Sequence, residues 1–355
     1  MRYTNPVYPE YFADPFVWQA EGRYYAVGTG PSDGARRFPL LRSDDLVNWE
    51  PRGFALTSLS PDHGDAYWAP EVAYAEGLYY LYYSVGHGHK DHQLRVAVSA
   101  SPSGPYEDTG KPVNDPASCP FAIDAHPFRD DDGQYYLFYC RDFLDCDGGV
   151  RPGTAIVVDR LVDMVRLAGE ERVVARGRRD WQLYAANRPM YGGIYDWHTL
   201  EGPAVLKRHG RYYCFYSGGC FQNETYGVDY VESDSVMGPY TDSGSDAGPR
   251  VLRTVPDHVI GPGHNSFVSV LDGESPQCGL RRYPPLSHSV EECASAERGI
   301  AAHSVTSTFI AYHAWDPAMT ARRLCIDKLL WTDNGPTAGP TWTAQDQLIG
   351  VGRAG

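Results

Sequence analysis

The stretch Thr199-Leu-Glu-Gly-Pro-Ala-Val-Leu-Lys-Arg-His-Gly-Arg-Tyr-Tyr-Cys-Phe-Tyr-Ser217 joins the two features that decide how the chain is read. Glu201 is a lone carboxylate in an apolar, Gly/Pro setting, and Gly210 opens an aromatic-rich run. That run recurs as Gly22-Arg-Tyr-Tyr-Ala-Val27, Gly77-Leu-Tyr-Tyr-Leu-Tyr-Tyr-Ser84 and Gly133-Gln-Tyr-Tyr-Leu-Phe-Tyr-Cys140. A divergent fifth copy is Ser307-Thr-Phe-Ile-Ala-Tyr-His-Ala-Trp315. A turn glycine followed by alternating, aromatic-rich residues fits a strand buried between packed sheets.

About 12 residues upstream of most copies lies a second short motif: Ala13-Asp-Pro-Phe16, Ala69-Pro-Glu-Val72, Ile123-Asp-Ala-His-Pro-Phe128, Leu200-Glu-Gly-Pro-Ala-Val205 and Gly263-His-Asn-Ser-Phe-Val268. Each repeat therefore opens with a polar residue beside Pro or Gly, then an apolar strand, a turn and the Tyr-rich strand. Ser103-Gly-Pro-Tyr106 is echoed by Met237-Gly-Pro-Tyr240, a matching outer turn. A unit of about four strands recurring five times predicts an all-β, five-bladed β-propeller forming one domain over residues 1–355. Tandem β-sandwiches would explain the strand content but not the paired motifs. In a propeller the inner strands surround the axis, so Asp14, Glu71, Asp124, Glu201 and His264 are expected to meet at one mouth. Residues 272–300 interrupt the fifth repeat and are expected to form a surface insertion or mobile loop.

Composition agrees: 26 Tyr, 37 Gly and 27 Pro favour short strands and tight turns over helices. The net charge of −14 leaves no basic face for nucleic acid or an anionic membrane, and a neutral substrate suits it better. No apolar run is long enough for a membrane span. No signal-like leader precedes Asp14, so the expected location is cytoplasmic, with short oligosaccharides as substrate. The oligomeric state is not legible. Eight cysteines do not make a disulfide framework in a chain of this length. Cys140/Cys146 and Cys214/Cys220 share a C-x5-C spacing, read as small buried residues at repeated strand positions. His87-Gly-His-Lys-Asp-His92 reads as a solvated loop near the channel mouth with no framing strand.

Glycosidic hydrolysis needs one carboxylic acid to protonate the leaving oxygen and one carboxylate on the opposite face. Carboxylates from three repeats would meet that need without a cofactor. Asp14-Pro-Phe, Asp124-Ala-His-Pro-Phe and Glu201-Gly-Pro, with Trp68-Ala-Pro-Glu-Val72, Gly261-Pro-Gly-His264-Asn-Ser266 and Arg322-Arg-Leu-Cys-Ile-Asp-Lys328, resemble glycoside hydrolase family 43. The resemblance runs from about residue 5 to residue 345. It implies an inverting exo-glycosidase acting on α-L-arabinofuranosyl linkages, with β-1,4-xylosidase as the alternative and a non-catalytic sugar-binding propeller as a remoter one.

By the same resemblance Asp14 is the general base, Glu201 the general acid, and Asp124 the third carboxylate, which holds Glu201 and raises its pKa. His264 matches a histidine at the channel floor beside a hydrated calcium or sodium ion; the competing reading is a buried histidine bonded to backbone. Arg322 matches an arginine that approaches the third carboxylate, with Arg323 competing for the register. Trp68 is a candidate sugar-stacking platform, and Glu71 is expected to be structural. The lack of a trailing β-sandwich module leans the expectation towards arabinofuranosidase.

Overall fold

The computed structural model describes residues 3–271 and 305–344. The expected insertion at 272–300 lies outside them. Blade one is the antiparallel meander β1 (Ala13–Ala20), β2 (Arg23–Thr29), β3 (Arg36–Ser43) and β4 (Glu50–Thr57). Blade two repeats it with β5 (Ala66–Ala75), β6 (Leu78–His87), β7 (Lys90–Ser99) and β8 (Glu107–Pro112). Blade three has β9 (Ala122–Arg129), β10 (Tyr135–Phe143) and β11 (Gly153–Asp163), with β12 (Arg166–Leu167) and β13 (Arg172–Ala175) on β11. Blade four has β14 (Leu183–Met190), β15 (Gly193–Arg208), β16 (Arg211–Gly218) and β17 (Gly227–Ser233). Blade five has β18 (Ile260–Leu271), β19 (Val305–Trp315) and β20 (Arg322–Lys328), followed by the hairpin β21 (Leu330–Thr332) and β22 (Gly335–Thr337).

The inner strands close a ring: β1 packs on β5, β5 on β9, β9 on β15, β15 on β18, and β18 on β1. Five apolar clusters fill the five gaps between blades. Phe16 and Leu81 fill one, Tyr82 and Leu137 the next, then Phe138 and Tyr216, Phe215 and Ile310, and finally Phe309 with Val17. Successive strand residues point to opposite faces, so Leu137 and Phe138 enter different gaps. That is why the Tyr-rich strands are apolar at nearly every position. Leu137 is fully buried, and Leu137→Ala would cost about 2–5 kcal/mol.

Blades three and four depart from the simple repeat. They merge into one nine-stranded sheet through a short parallel pairing, Gly153 with His198 and Thr154 with Thr199. A Cβ on Gly153 would fall 1.7 Å from the His198 carbonyl oxygen, so only glycine permits this approach. Blade five is completed by the start of the chain. Val7 N–H donates to the Leu324 carbonyl (2.9 Å) and Phe12 N–H to that of Arg322 (2.8 Å). The buried Asn5 side chain donates to the Ile326 carbonyl (2.8 Å) and accepts from its N–H (2.9 Å). The weak fifth copy therefore does not prevent closure.

Each inner strand carries a bulge, and the residue there adopts positive φ: Asp14 (49°), Ala69 (48°), Asp124 (58°), Gly202 (56°) and His264 (50°). This corrects the expected register. Ala69 and Gly202 stand level with Asp14, Asp124 and His264, whereas Glu201 lies one residue before its bulge and Glu71 two beyond. Bulges of this kind re-aim side chains next to functional sites. Opposite each bulge, the second strand presents Thr29, Ser84, Cys140, Ser217 or His313. Three of these latch the next blade: Thr29 Oγ1 accepts the Ala69 N–H (2.8 Å), Ser217 Oγ that of His264 (2.7 Å), and His313 Nδ1 that of Asp14 (3.1 Å).

The outer turns match as expected, since Tyr106 OH donates to the Pro102 carbonyl (3.1 Å) and Tyr240 OH to that of Val236 (3.0 Å). The cysteine spacing does not mark equivalent positions. Cys140 faces Ile123 across a bulge while Cys214 pairs with Val205, and Cys146 is exposed; all four thiols are free. Cys140, Cys214 and Cys220 are small buried residues, as anticipated.

Candidate active site

Asp14, Asp124 and Glu201 gather at one mouth of the ring. Glu201 Oε1 accepts a hydrogen bond from Tyr226 OH (2.7 Å). The Tyr226 ring stacks on His313, with centroids 5.7 Å apart, and His313 Nδ1 lies 3.2 Å from Asp14 Oδ1. Asp124 Oδ2 accepts the Gly202 N–H (2.9 Å), so it holds the backbone beside Glu201. Gly202 is required there: its φ is positive, and an added Cβ would meet the His264 ring at 3.1 Å.

The two outer members of the trio have opposite surroundings. Burial alone would raise the Asp14 carboxyl, but His264, Arg322 and His313 outweigh it and hold the group well below the usual carboxylate range. Arg322 Nη1 lies 3.3 Å from Asp14 Oδ1 and His264 Nδ1 3.5 Å. Burial keeps both imidazoles low, His313 at about 4. They are neutral at pH 7, so the permanent positive charge beside Asp14 is the guanidinium.

Among the described residues, no cation comes as close to Glu201. Burial pushes its carboxyl up to about 7, against the pull of the Tyr226 hydroxyl, with the Asp14 charge adding to the rise. An ordinary glutamate would hold its proton less than ~1% of the time at pH 7; a carboxyl raised to about 7 keeps it far more often. Burial, then the Glu201 and Asp14 charges, raise Asp124 as well. Two carboxyls this close do not both ionise cheaply.

Other expected residues fall into place differently. Arg322 reaches Asp14 and not the third carboxylate Asp124; its Nη2 donates to Tyr11 OH (2.7 Å), while Arg323 pairs with Asp316 (3.0 Å). His264 is buried, its N–H held by Ser217 and its ring against Asp14. Among the described residues no group of three or more His, Cys, Asp or Glu could hold a metal. Beside His264, the buried Asn265 has neither side-chain polar atom hydrogen-bonded, a donor and acceptor suited to water more than to direct ligation. Glu71 hydrogen-bonds His126 Nδ1 (2.7 Å), and His126 Nε2 accepts the Val205 N–H (3.0 Å), which ties three inner strands together.

Trp68 is half-buried and stacks on His92 at 3.8 Å, so one face of the indole is already used. The segment at 87–92 is not an unframed loop but the turn between β6 and β7, with His92 buried. Residues not foreseen as part of the site are Tyr226, His313, Tyr11, Tyr184, Phe221 and Trp315. Arg322 packs over Phe221 (4.9 Å) and Trp315 (5.9 Å), and Phe221 stacks with Tyr184 (6.3 Å). His313 and Trp315 lie in the divergent fifth repeat, where the departure from the Tyr-rich pattern was itself the signal.

The family description "Glycosyl hydrolases family 43" matches residues 3–288. The chain belongs to that family. It is a glycoside hydrolase, with a carbohydrate as substrate. A β-D-galactofuranosidase of Aspergillus niger is 32% identical over 286 residues, covering 76% of this chain and 73% of that protein. An extracellular endo-α-(1→5)-L-arabinanase of Bacillus subtilis is 29% identical over 277 residues, covering 73% and 78%. The crystal structure of a thermostable family-43 glycoside hydrolase superposes with a TM-score of 0.73 at 28% identity, over 97% of this chain and 98% of that one. Other relatives of this family 43 enzyme are named as an exo-arabinofuranosidase and a xylosidase/arabinosidase.

Proposed function

We propose that this family 43 hydrolase removes terminal α-L-arabinofuranosyl residues from arabinan- or arabinoxylan-derived oligosaccharides with inversion at the anomeric carbon. The observation that carries the reading is the divergence of two carboxyls in one site: Asp14 held ionised, Glu201 raised to about 7. Pairs of titratable groups pushed apart in this way mark acid and base partners. Asp14 takes a proton from a water as that water attacks the anomeric carbon. Glu201 gives its proton to the departing glycosidic oxygen in the same displacement. Asp124 positions Glu201 through the Gly202 amide and disfavours its ionisation. Arg322 keeps Asp14 charged, and Trp68 borders the sugar. If an axial calcium or sodium ion is bound, His264 and Asn265 would hold it through water.

The Aspergillus niger relative favours a second reading, hydrolysis of galactofuranosides, which share the five-membered ring. The test is a panel of nitrophenyl α-L-arabinofuranoside, β-D-xylopyranoside and β-D-galactofuranoside. The highest kcat/KM is expected on the arabinofuranoside. A higher value on either of the others reassigns the specificity, and binding without turnover of any glycoside overturns the hydrolytic reading of the trio.

A further inference from the structure

Between the β14–β15 hairpin and the β6–β7 turn lies a cleft of about 520 Å³. Its walls are Pro189, Met190 and Tyr191 on one side and His89, Lys90 and Phe121 on the other. Immediately before this wall stands Arg188, half-buried, its guanidinium 4.9 Å from the centroid of Tyr184 and 5.6 Å from that of Trp197. Tyr184 stacks on Phe221, which lies under Arg322, so two rings separate Arg188 from the cation that serves Asp14. On its other side is His89, whose ring is 5.4 Å from Trp68 and whose pKa is lowered by burial and by the Arg188 charge. Arg188 therefore stands on the rim of the active-site mouth.

The Arg188 side chain has no hydrogen bond or ion pair among the described residues, though it lies over two aromatic rings. Of the acidic groups near the hairpin, Asp142 accepts from Tyr191 OH (2.6 Å) and Thr154 (2.9 Å) and Asp196 from the Asn187 N–H (2.9 Å), while Asp91 lines the cleft beside Lys90. Elsewhere, half-buried arginines find carboxylates, as Arg141 does with Glu171, Arg250 with Asp229 and Arg322 with Asp14. Arg129 and Arg208 also stack on rings without an ion pair, but they end β9 and β15, far along each strand from Asp124 and Glu201. In a chain of net charge −14 a cation left free at the mouth is conspicuous. A guanidinium packed over aromatic rings keeps its charge and its fork of donors available to a carboxylate.

We propose that this cleft takes the part of the substrate beyond the cleaved bond, and that Arg188 binds a sugar carboxylate there, making uronic-acid-bearing oligosaccharides the preferred substrates. This rests on the glycosidase reading given above. The probes are arabinose-bearing oligosaccharides whose neighbouring sugar is glucuronic acid in one arm and galacturonic acid in the other. Each is compared with its carboxyl-reduced counterpart, in kcat/KM and in calorimetric Kd, for the wild type, R188K and R188Q.

The wild type is expected to favour at least one acid form by about tenfold or more, as a charge-assisted bidentate bond allows. R188Q is expected to bring the acid-to-reduced ratio to about one, and R188K to an intermediate value, because lysine keeps the charge without the fork. A wild-type ratio near one in both arms, or a ratio unchanged in R188Q, overturns the proposal. If nothing is cleaved, the glycosidase reading fails on its own, and the Kd ratios still decide the role of Arg188.

Discussion

Asp14 and Glu201 sit in the same ring, on blades one and four, yet their neighbourhoods do opposite things. Asp14 faces the Arg322 guanidinium and the His264 ring, and its own N–H is latched by His313 Nδ1. Glu201 has one hydroxyl, from Tyr226, and a second carboxyl nearby whose ionisation competes with its own. Both are buried, so burial alone does not decide protonation. The sign of the neighbouring charge does.

The largest effect expected from breaking this contrast is at Asp14. Asp14→Asn removes the base and should lower kcat by about 10²–10⁴-fold on every substrate, measured at pH 6. Glu201→Gln should cost a similar factor on oligosaccharides, but far less on nitrophenyl glycosides, whose leaving group needs no proton. Equal losses on both substrate types would contradict its role as acid.

Smaller changes sharpen the comparison through pH profiles of kcat/KM. In the wild type the alkaline limb should fall near pH 7, because Glu201 loses its proton as pH rises through its raised pKa. The acid limb should lie far below that, because Asp14 stays ionised. Arg322→Met removes the permanent charge beside Asp14, so its pKa rises and the acid limb moves up, with activity at pH 6 down about ten- to a hundredfold. Tyr226→Phe should have the smallest effect, a loss of about a few fold. It removes a hydrogen bond to the ionised form of Glu201, so the alkaline limb should move up. A downward movement would contradict the donor role given to Tyr226.

The contrast between these regions also marks what the amino-acid sequence discloses. The Gly-x-Tyr-Tyr runs are second strands whose both faces are buried in neighbouring gaps, and that double burial leaves a repeat visible in composition. The three acids were legible because each sits beside Pro, Gly or Ala just ahead of an apolar run, Asp14 and Asp124 near a strand start and Glu201 midway along β15. Their register was not, because positive φ at Asp14, Ala69, Asp124 and His264 has no residue code of the kind glycine provides at Gly202.

Tyr226, which tunes Glu201, belongs to the same blade, but the partners of Asp14 come from another one. His313 lies on β19, and Arg322 on β20 reaches Asp14 across the seam where the ends of the ring meet. Such contacts depend on closure of the ring, which no local pattern records. The same holds for Asn5, whose side chain copies the pairing of a strand edge at that seam.

Proton NMR of the first sugar released from an arabinofuranosyl oligosaccharide, read before the anomers equilibrate, tests the division of labour between Asp14 and Glu201 most directly. A water activated by Asp14 opposite a proton-donating Glu201 yields the inverted anomer, β-L-arabinofuranose from an α-linked substrate. Release of the α anomer would mean that a carboxylate attacks the sugar itself, which contradicts the roles assigned to both residues.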